Sequence, residues 1–102
     1  MGRKIDARYH VGYRLPSING ASLAEGVMKV TDVPWSEIVI DASRCPPELL
    51  VSTFYTAFWQ RIYETLPDRL EEAKAIRWEF EYDVKQTTLE YLRNHFEPRQ
   101  PA

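Results

Sequence analysis

The sequence predicts one α/β domain: a two-layer sandwich with a mixed, mostly parallel sheet of three or four strands and helices mainly on one face. Strand-like segments alternate with segments of helical periodicity, in the order strand, helix, strand, helix, strand, helix. The Ile38-Val39-Ile40 run is apolar on both sides, which is typical of a central strand. With 102 residues, the chain holds one modest core. We place the domain at residues 1–97 and a polar tail at 98–102.

The first half of the chain contains one strand and one helix before the central strand. Alternation of apolar and polar residues predicts a strand or bent hairpin over residues 4–13. Pro16 and the Asn19-Gly20 pair predict a break after it. Ser22 and Glu25 have the spacing of a capping box, so a short helix is expected to begin at Ser22.

The second half begins with the central strand, Glu37–Asp41, followed by Pro46-Pro47 and a long helix that is predicted to start near Glu48. A helical turn over residues 69–74 and a strand over 76–82 follow, the latter with charged residues on its alternate face. Asp83 is expected to cap a last helix with Val84 on its inner face, and the chain from Pro98 onward is expected to fray.

Composition argues against several classes of protein. Thirteen basic and fifteen acidic residues give a net charge of −2, and the basic residues are scattered, so no nucleic-acid partner is expected. No segment approaches the length of an apolar membrane span, so no membrane partner is expected. Cys45 is the only cysteine, which fits a reducing cytoplasm.

Catalytic signatures are missing from the sequence. His10 and His95 lie far apart, and no Cys, Asp or Glu has metal-ligand spacing to either, so neither a metal nor a cofactor is expected. The chain is therefore predicted not to be an enzyme. One rival hypothesis remains: a small ligand-binding protein or enzyme that uses Asp41, Cys45 and His10 together.

Two sets of residues are candidate partner-binding sites. Tyr55, Trp59 and Tyr63 recur every four residues beside the core-facing side of the main helix, so they either pack under another helix or anchor a partner or a second copy. Asp41 and Ser43 follow the central strand, where they can form a recognition edge. Capping the turn through nearby amides is the commoner role of such a pair.

Three motifs resemble the STAS-like family of anti-sigma-factor antagonists and bacterial relatives. They are Gly20-Ala21-Ser22-Leu23 opening a helix, Ile38-Val39-Ile40-Asp41 ending a strand in Asp, and Ser52-Thr53-Phe54 leading into the main helix. The resemblance implies a non-enzymatic module that docks onto a partner protein, with Ser52 or Thr53 as the phosphoacceptor. The spacing from Asp41 to Ser52 is longer than the family pattern, and a helix start at Glu48 places Ser52 one turn inside.

The predicted function is therefore a cytoplasmic protein-binding or regulatory module that acts as a monomer or a homodimer. A second hypothesis from another class is a phage or mobile-element inhibitor that occludes the surface of a host defence protein. Both need a docking surface and no catalytic group, so the sequence leaves both open.

Overall fold

Three short parallel strands form one sheet in the computed structural model, which describes residues 2–100. Strand β1 is Arg3–Asp6, β2 is Ile38–Asp41 and β3 is Arg77–Glu79. The order in the sheet is β1-β2-β3, and both pairings are parallel. The predicted central position is therefore confirmed, because β2 pairs with a strand along each of its two edges.

Four helices complete the α/β chain and follow the predicted order. They are α1 (Pro16–Met28), α2 (Ser52–Thr65), α3 (Leu70–Lys74) and α4 (Asp83–His95). Four short 3₁₀ turns join them to the strands, at Ala7–Tyr9, Trp35–Glu37, Pro47–Leu49 and Pro67–Arg69.

Helix α1 begins six residues before the predicted capping box. Pro16 occupies its first position, where a missing N–H costs nothing, and the Asn19-Gly20 pair lies inside the helix instead of breaking the chain. Gly20 is needed there for packing, because a Cβ on it would lie 2.9 Å from the Cβ of Ala57 and from the amide nitrogen of Phe58. The predicted turn was wrong because tertiary contact outweighs the local preference of Asn-Gly.

Helix α2 begins at Ser52, not near Glu48 as predicted. The two prolines lead into the 3₁₀ turn Pro47–Leu49, after which the chain re-enters an extended conformation at Val51. Ser52 is therefore the first residue of α2 and does not lie one turn inside it. At the first position of the helix, a phosphate on Ser52 would lie at the positive end of the helix dipole.

The core includes one face of the sheet and helix α2, which packs against it. Ile40 and Trp78 point to this face, and the Trp78 ring makes edge contacts with Phe54 and Phe58 of α2, with centroids 6.1 and 5.5 Å apart. The opposite face carries exposed charges, with Lys4 Nζ lying 3.1 Å from a Glu79 carboxylate oxygen. The charged alternate face predicted for the last strand is thus present, although that strand is only three residues long.

The end of the chain is held more firmly than predicted. The buried side chain of Gln60 accepts a hydrogen bond from the Arg99 amide and donates one to the Arg99 carbonyl oxygen, each at 2.9 Å. The tail is thus attached to α2 at Arg99, and the predicted fraying from Pro98 is wrong there. Residues 101–102 of the predicted tail lie outside the described residues.

Val84, predicted to face inward, is exposed, and Leu89 is the one fully buried residue of α4.

Candidate docking site

The aromatic stripe predicted as a partner interface lies mostly in the core. Tyr55 and Trp59 are completely buried, with Tyr55 against Trp78 (5.4 Å between ring centroids) and Trp59 against Phe96 (5.4 Å). Tyr63 is half-buried and packs against the same core. Tyr55 and Trp59 therefore offer no surface to a partner in this fold, and their assignment as anchors is corrected. The sequence suggested a surplus of aromatic surface because it did not show that β3 and the segment after α4 would cover it.

Asp41 and Ser43 lie together at the end of β2, as predicted. The Asp41 carboxylate accepts hydrogen bonds from the Ser43 amide, at 3.0 Å, and from the Ser43 hydroxyl. These bonds hold the pKa of the Asp41 carboxyl below its usual range. The pair thus fixes the turn after β2. Because the Asp41 carboxylate already accepts two hydrogen bonds from Ser43, it has little capacity left to bind a partner.

The carboxyl ends of the three strands bring three acids into register. Asp6, Asp41 and Glu79 are paired neighbours across the sheet. Each one has a partner in the chain: Asp6 binds Arg8 at 2.7 Å, Asp41 binds Ser43, and Glu79 binds Lys4. Within residues 2–100, no group of three or more acidic, histidine or cysteine side chains is arranged to hold a metal ion.

Asp41, Cys45 and His10, the residues of the rival ligand-binding or enzyme hypothesis, do not form one cluster. Cys45 is buried near Asp6 and Asp41, and burial, reinforced by these carboxylates, raises the pKa of its thiol to about 11. His10 packs elsewhere, against Gly26 of α1, with its Nδ1 3.4 Å from the Ser22 hydroxyl. The thiol is therefore protonated at neutral pH and has no imidazole beside it to act as a base.

Ser52 and Thr53, the predicted phosphoacceptors, are exposed at the first two positions of α2. Val51 precedes them as the N-cap and offers no side-chain hydrogen bond, and no acidic residue lies in the first turn. A negative charge at either residue would therefore meet the positive end of the helix dipole.

The sequence pattern did not reveal that Tyr9 and Tyr13 are the most exposed large apolar side chains among residues 2–100. The loop between β1 and α1, residues 9–15, presents Tyr9, Tyr13 and Leu15 with exposed fractions of 81%, 84% and 65%. The alternating pattern had predicted a strand here. We call residues 9–15 the docking loop. Because Tyr side chains present large, rigid contact area, they are among the commonest anchors of protein interfaces.

A buried asparagine holds the docking loop in place. The Asn19 side chain, completely buried in α1, accepts a hydrogen bond from the Gly12 amide (3.1 Å) and donates one to the Gly12 carbonyl oxygen (2.8 Å). Its oxygen also accepts from Arg14 Nε at 3.2 Å, while another nitrogen of Arg14 donates to the His10 carbonyl oxygen at 3.0 Å. The loop is therefore ordered before any partner arrives, so binding loses less conformational entropy.

Charge around the docking loop differs from that of the rest of the chain. No acidic residue occurs from Ala7 to Ala24, whereas Arg8 and Arg14 lie within this stretch. Arg8 binds Asp6 and lies 6.0 Å from the centre of the Tyr9 ring, so it also supports that ring. The loop thus presents aromatic surface beside the positive charge of Arg14, while Asp6 offsets the charge of Arg8, on a chain whose net charge is −2.

Comparisons with protein-family models, with curated proteins and with solved structures give no match for this chain. Among residues 2–100, the helices are all too short or too polar to cross a membrane. The candidate site is therefore defined by its geometry alone.

Proposed function

We propose that this chain is a non-enzymatic protein-binding module that docks through residues 9–15 onto a partner with an apolar, acid-rimmed surface. The single observation that carries the proposal is the buried Asn19, which fixes the loop and leaves Tyr9 and Tyr13 in solvent. Burying an amide side chain is costly unless it is hydrogen-bonded, and here all of its bonds serve the loop. A loop held in this way is suited to binding because its aromatic side chains need little further ordering.

The proposal extends to the layer arrangement, the cellular location and the phosphoacceptor. We propose a two-layer, STAS-like arrangement, which the single charged sheet face supports, and a cytoplasmic location, which the unpaired Cys45 supports. Ser52 or Thr53 is the proposed phosphoacceptor. A phage-encoded inhibitor of a host defence protein would use the same loop, so the identity of the captured partner distinguishes the two roles.

The test compares two pairs of exposed tyrosines. The tagged protein is expressed in its own host as wild type, as Tyr9→Ser/Tyr13→Ser, and as the control Tyr82→Ser/Tyr91→Ser, which alters exposed tyrosines at α4. Partners are quantified by mass spectrometry, and the strongest one is purified for titration calorimetry. We expect the loop variant to lose about tenfold or more in affinity and the α4 variant to bind like wild type.

The opposite pattern would refute the proposal. If the loop variant retains full affinity while circular dichroism shows all three proteins folded, the loop is not the docking site. Light scattering on the same samples tests self-association: a homodimer that dissociates only in the α4 variant would assign that helix to dimerisation.

A further inference from the structure

A cleft of about 470 Å³ lies on the helical side of the protein, between the starts of α1 and α2 and the end of α4. It shares no residue with the docking loop. Its volume falls in the range of sites that hold small organic ligands.

One wall of the cleft is the segment that follows α4. This segment stays in place because the buried Gln60 amide binds the main chain of Arg99 through both its oxygen and its nitrogen. The Gln60 nitrogen is also 3.1 Å from a Glu64 carboxylate oxygen. The cleft therefore has a fixed shape, since its wall is tied to α2 by a satisfied buried polar group.

The floor of the cleft is apolar. It is formed by Ala57 of α2, Leu92 of α4 and Phe96, whose ring is held by Trp59. An apolar floor between packed helices offers a place for a hydrocarbon body of a few carbon atoms, because burying that body removes apolar surface from water.

The rim of the cleft offers donors to an anion. Arg99, an exposed residue, lines it, and Thr53 lines it from the first turn of α2. His95 also lines it. Its Nδ1 donates to the Tyr91 carbonyl oxygen at 2.8 Å and its ring stacks on Tyr91 at 4.2 Å, so this N–H is not available to an anion. Glu97 is the one carboxylate on the lining and opposes an anion.

We propose that this cleft binds a small organic carboxylate with an apolar body. The carboxylate pairs with Arg99 at the rim, and the body lies on Ala57, Leu92 and Phe96. Arg is suited to this role because its planar guanidinium matches a carboxylate with two parallel hydrogen bonds. Such a site would make the protein responsive to a metabolite, which goes beyond docking onto a partner.

Three probes of similar shape and different charge test whether the cleft prefers a carboxylate. The ¹⁵N-labelled protein is titrated with phenylacetate, with its neutral amide phenylacetamide and with the cation phenethylammonium, and amide chemical shifts are followed. We expect saturable shifts at Thr53, Gln60 and Arg99 with phenylacetate, weaker binding of the amide and the weakest binding of the cation. Equal affinities for the three probes, or shifts that map away from the cleft, would overturn the proposal.

Variants test the assigned residues. Arg99→Gln should weaken phenylacetate binding by about two- to fivefold, the range expected for an exposed ion pair. Arg77→Gln is the matched control, because it makes the same charge change on the exposed sheet face. Glu97→Gln should tighten binding, and Thr56→Leu, which fills the cleft, should abolish it while thermal unfolding stays normal. An Arg99→Gln protein that binds like Arg77→Gln would disprove the role of Arg99.

Discussion

Asn19 and Gly12 are joined by two hydrogen bonds, in which the Asn19 side chain both accepts from the Gly12 amide and donates to the Gly12 carbonyl oxygen. The amide side chain thus pairs with the backbone as a neighbouring strand would. It connects the first helix to the loop before it, and in this way a completely buried polar residue determines which aromatic side chains stay in solvent.

The first prediction concerns this connection. Asn19→Ala should lower the free energy of unfolding by about 1–3 kcal/mol, because it removes three hydrogen bonds and leaves the Gly12 groups without their partner. Amide hydrogen exchange at Gly12 should accelerate more than exchange in β2. Asn94→Ala, at an exposed position of α4, is the control and should change stability by less than about 0.5 kcal/mol. Unchanged exchange at Gly12 would show that Asn19 does not order the loop.

The second prediction concerns the crossing of α1 and α2. Gly20→Ala should destabilise the protein by about 1–2 kcal/mol in urea unfolding, even though alanine favours helices, because its Cβ would meet the backbone of α2. Gly12→Ala is the control, since a Cβ there would lie 3.7 Å from Arg14 Nε, in ordinary contact. Equal stability of the two variants would contradict the close helix contact.

The third prediction concerns pH. Burial of His10, together with the nearby charges of Lys29 and Arg14, lowers the pKa of its imidazole below the usual 6.5. The unfolded chain therefore takes up the proton more readily, so the stability from neutral His10 is present above pH 6.5 and is lost as pH falls through the folded-state pKa.

Urea unfolding between about pH 7.5 and 5.5 measures this contribution. The wild type should lose stability toward the acid end, and His10→Gln should lose less. Asp6 and Asp41 have pKa values lowered from 3.8, so their contributions are lost at more acid pH and do not mask the effect. If the two proteins show the same slope, protonation of His10 is not the cause.

The fourth prediction concerns the start of α2. Ser52→Asp should raise the free energy of unfolding by about 0.3–1 kcal/mol at low salt, because it places a negative charge in a first turn that has none. Thr65→Asp, at the other end of α2, should lower it. For the phosphorylation hypothesis, the readout is affinity for the isolated partner. If Ser52→Asp and Thr53→Asp leave that affinity unchanged, regulation at this site is refuted.

The sequence predicted the central strand and the positions of α3 and α4 well, and the starts of α1 and α2 poorly. Ile38-Val39-Ile40 predicted a central strand buried on both faces, and the structure confirms the central position. It buries Ile38 and Ile40 on one face and leaves Val39, on the other face, half-buried. Asn19-Gly20 suggested a turn because local statistics favour one. Its residues instead serve contacts with residues 12 and 54–58, which no local pattern contains.

By itself, the sequence determined the order of the elements, the apolar central strand and the absence of recognisable catalytic spacing, because hydrophobic period and residue chemistry are local properties. It predicted a mixed, mostly parallel sheet of three or four strands, and residues 2–100 form three strands that pair in parallel. Only the tertiary structure decided which aromatic residues face solvent. Tyr55 and Tyr13 are the same residue type, yet Trp78 covers the first and nothing in residues 2–100 buries the second. Exposure depends on what packs against a residue from distant parts of the chain, and this moved the candidate site from α2 to the loop held by Asn19.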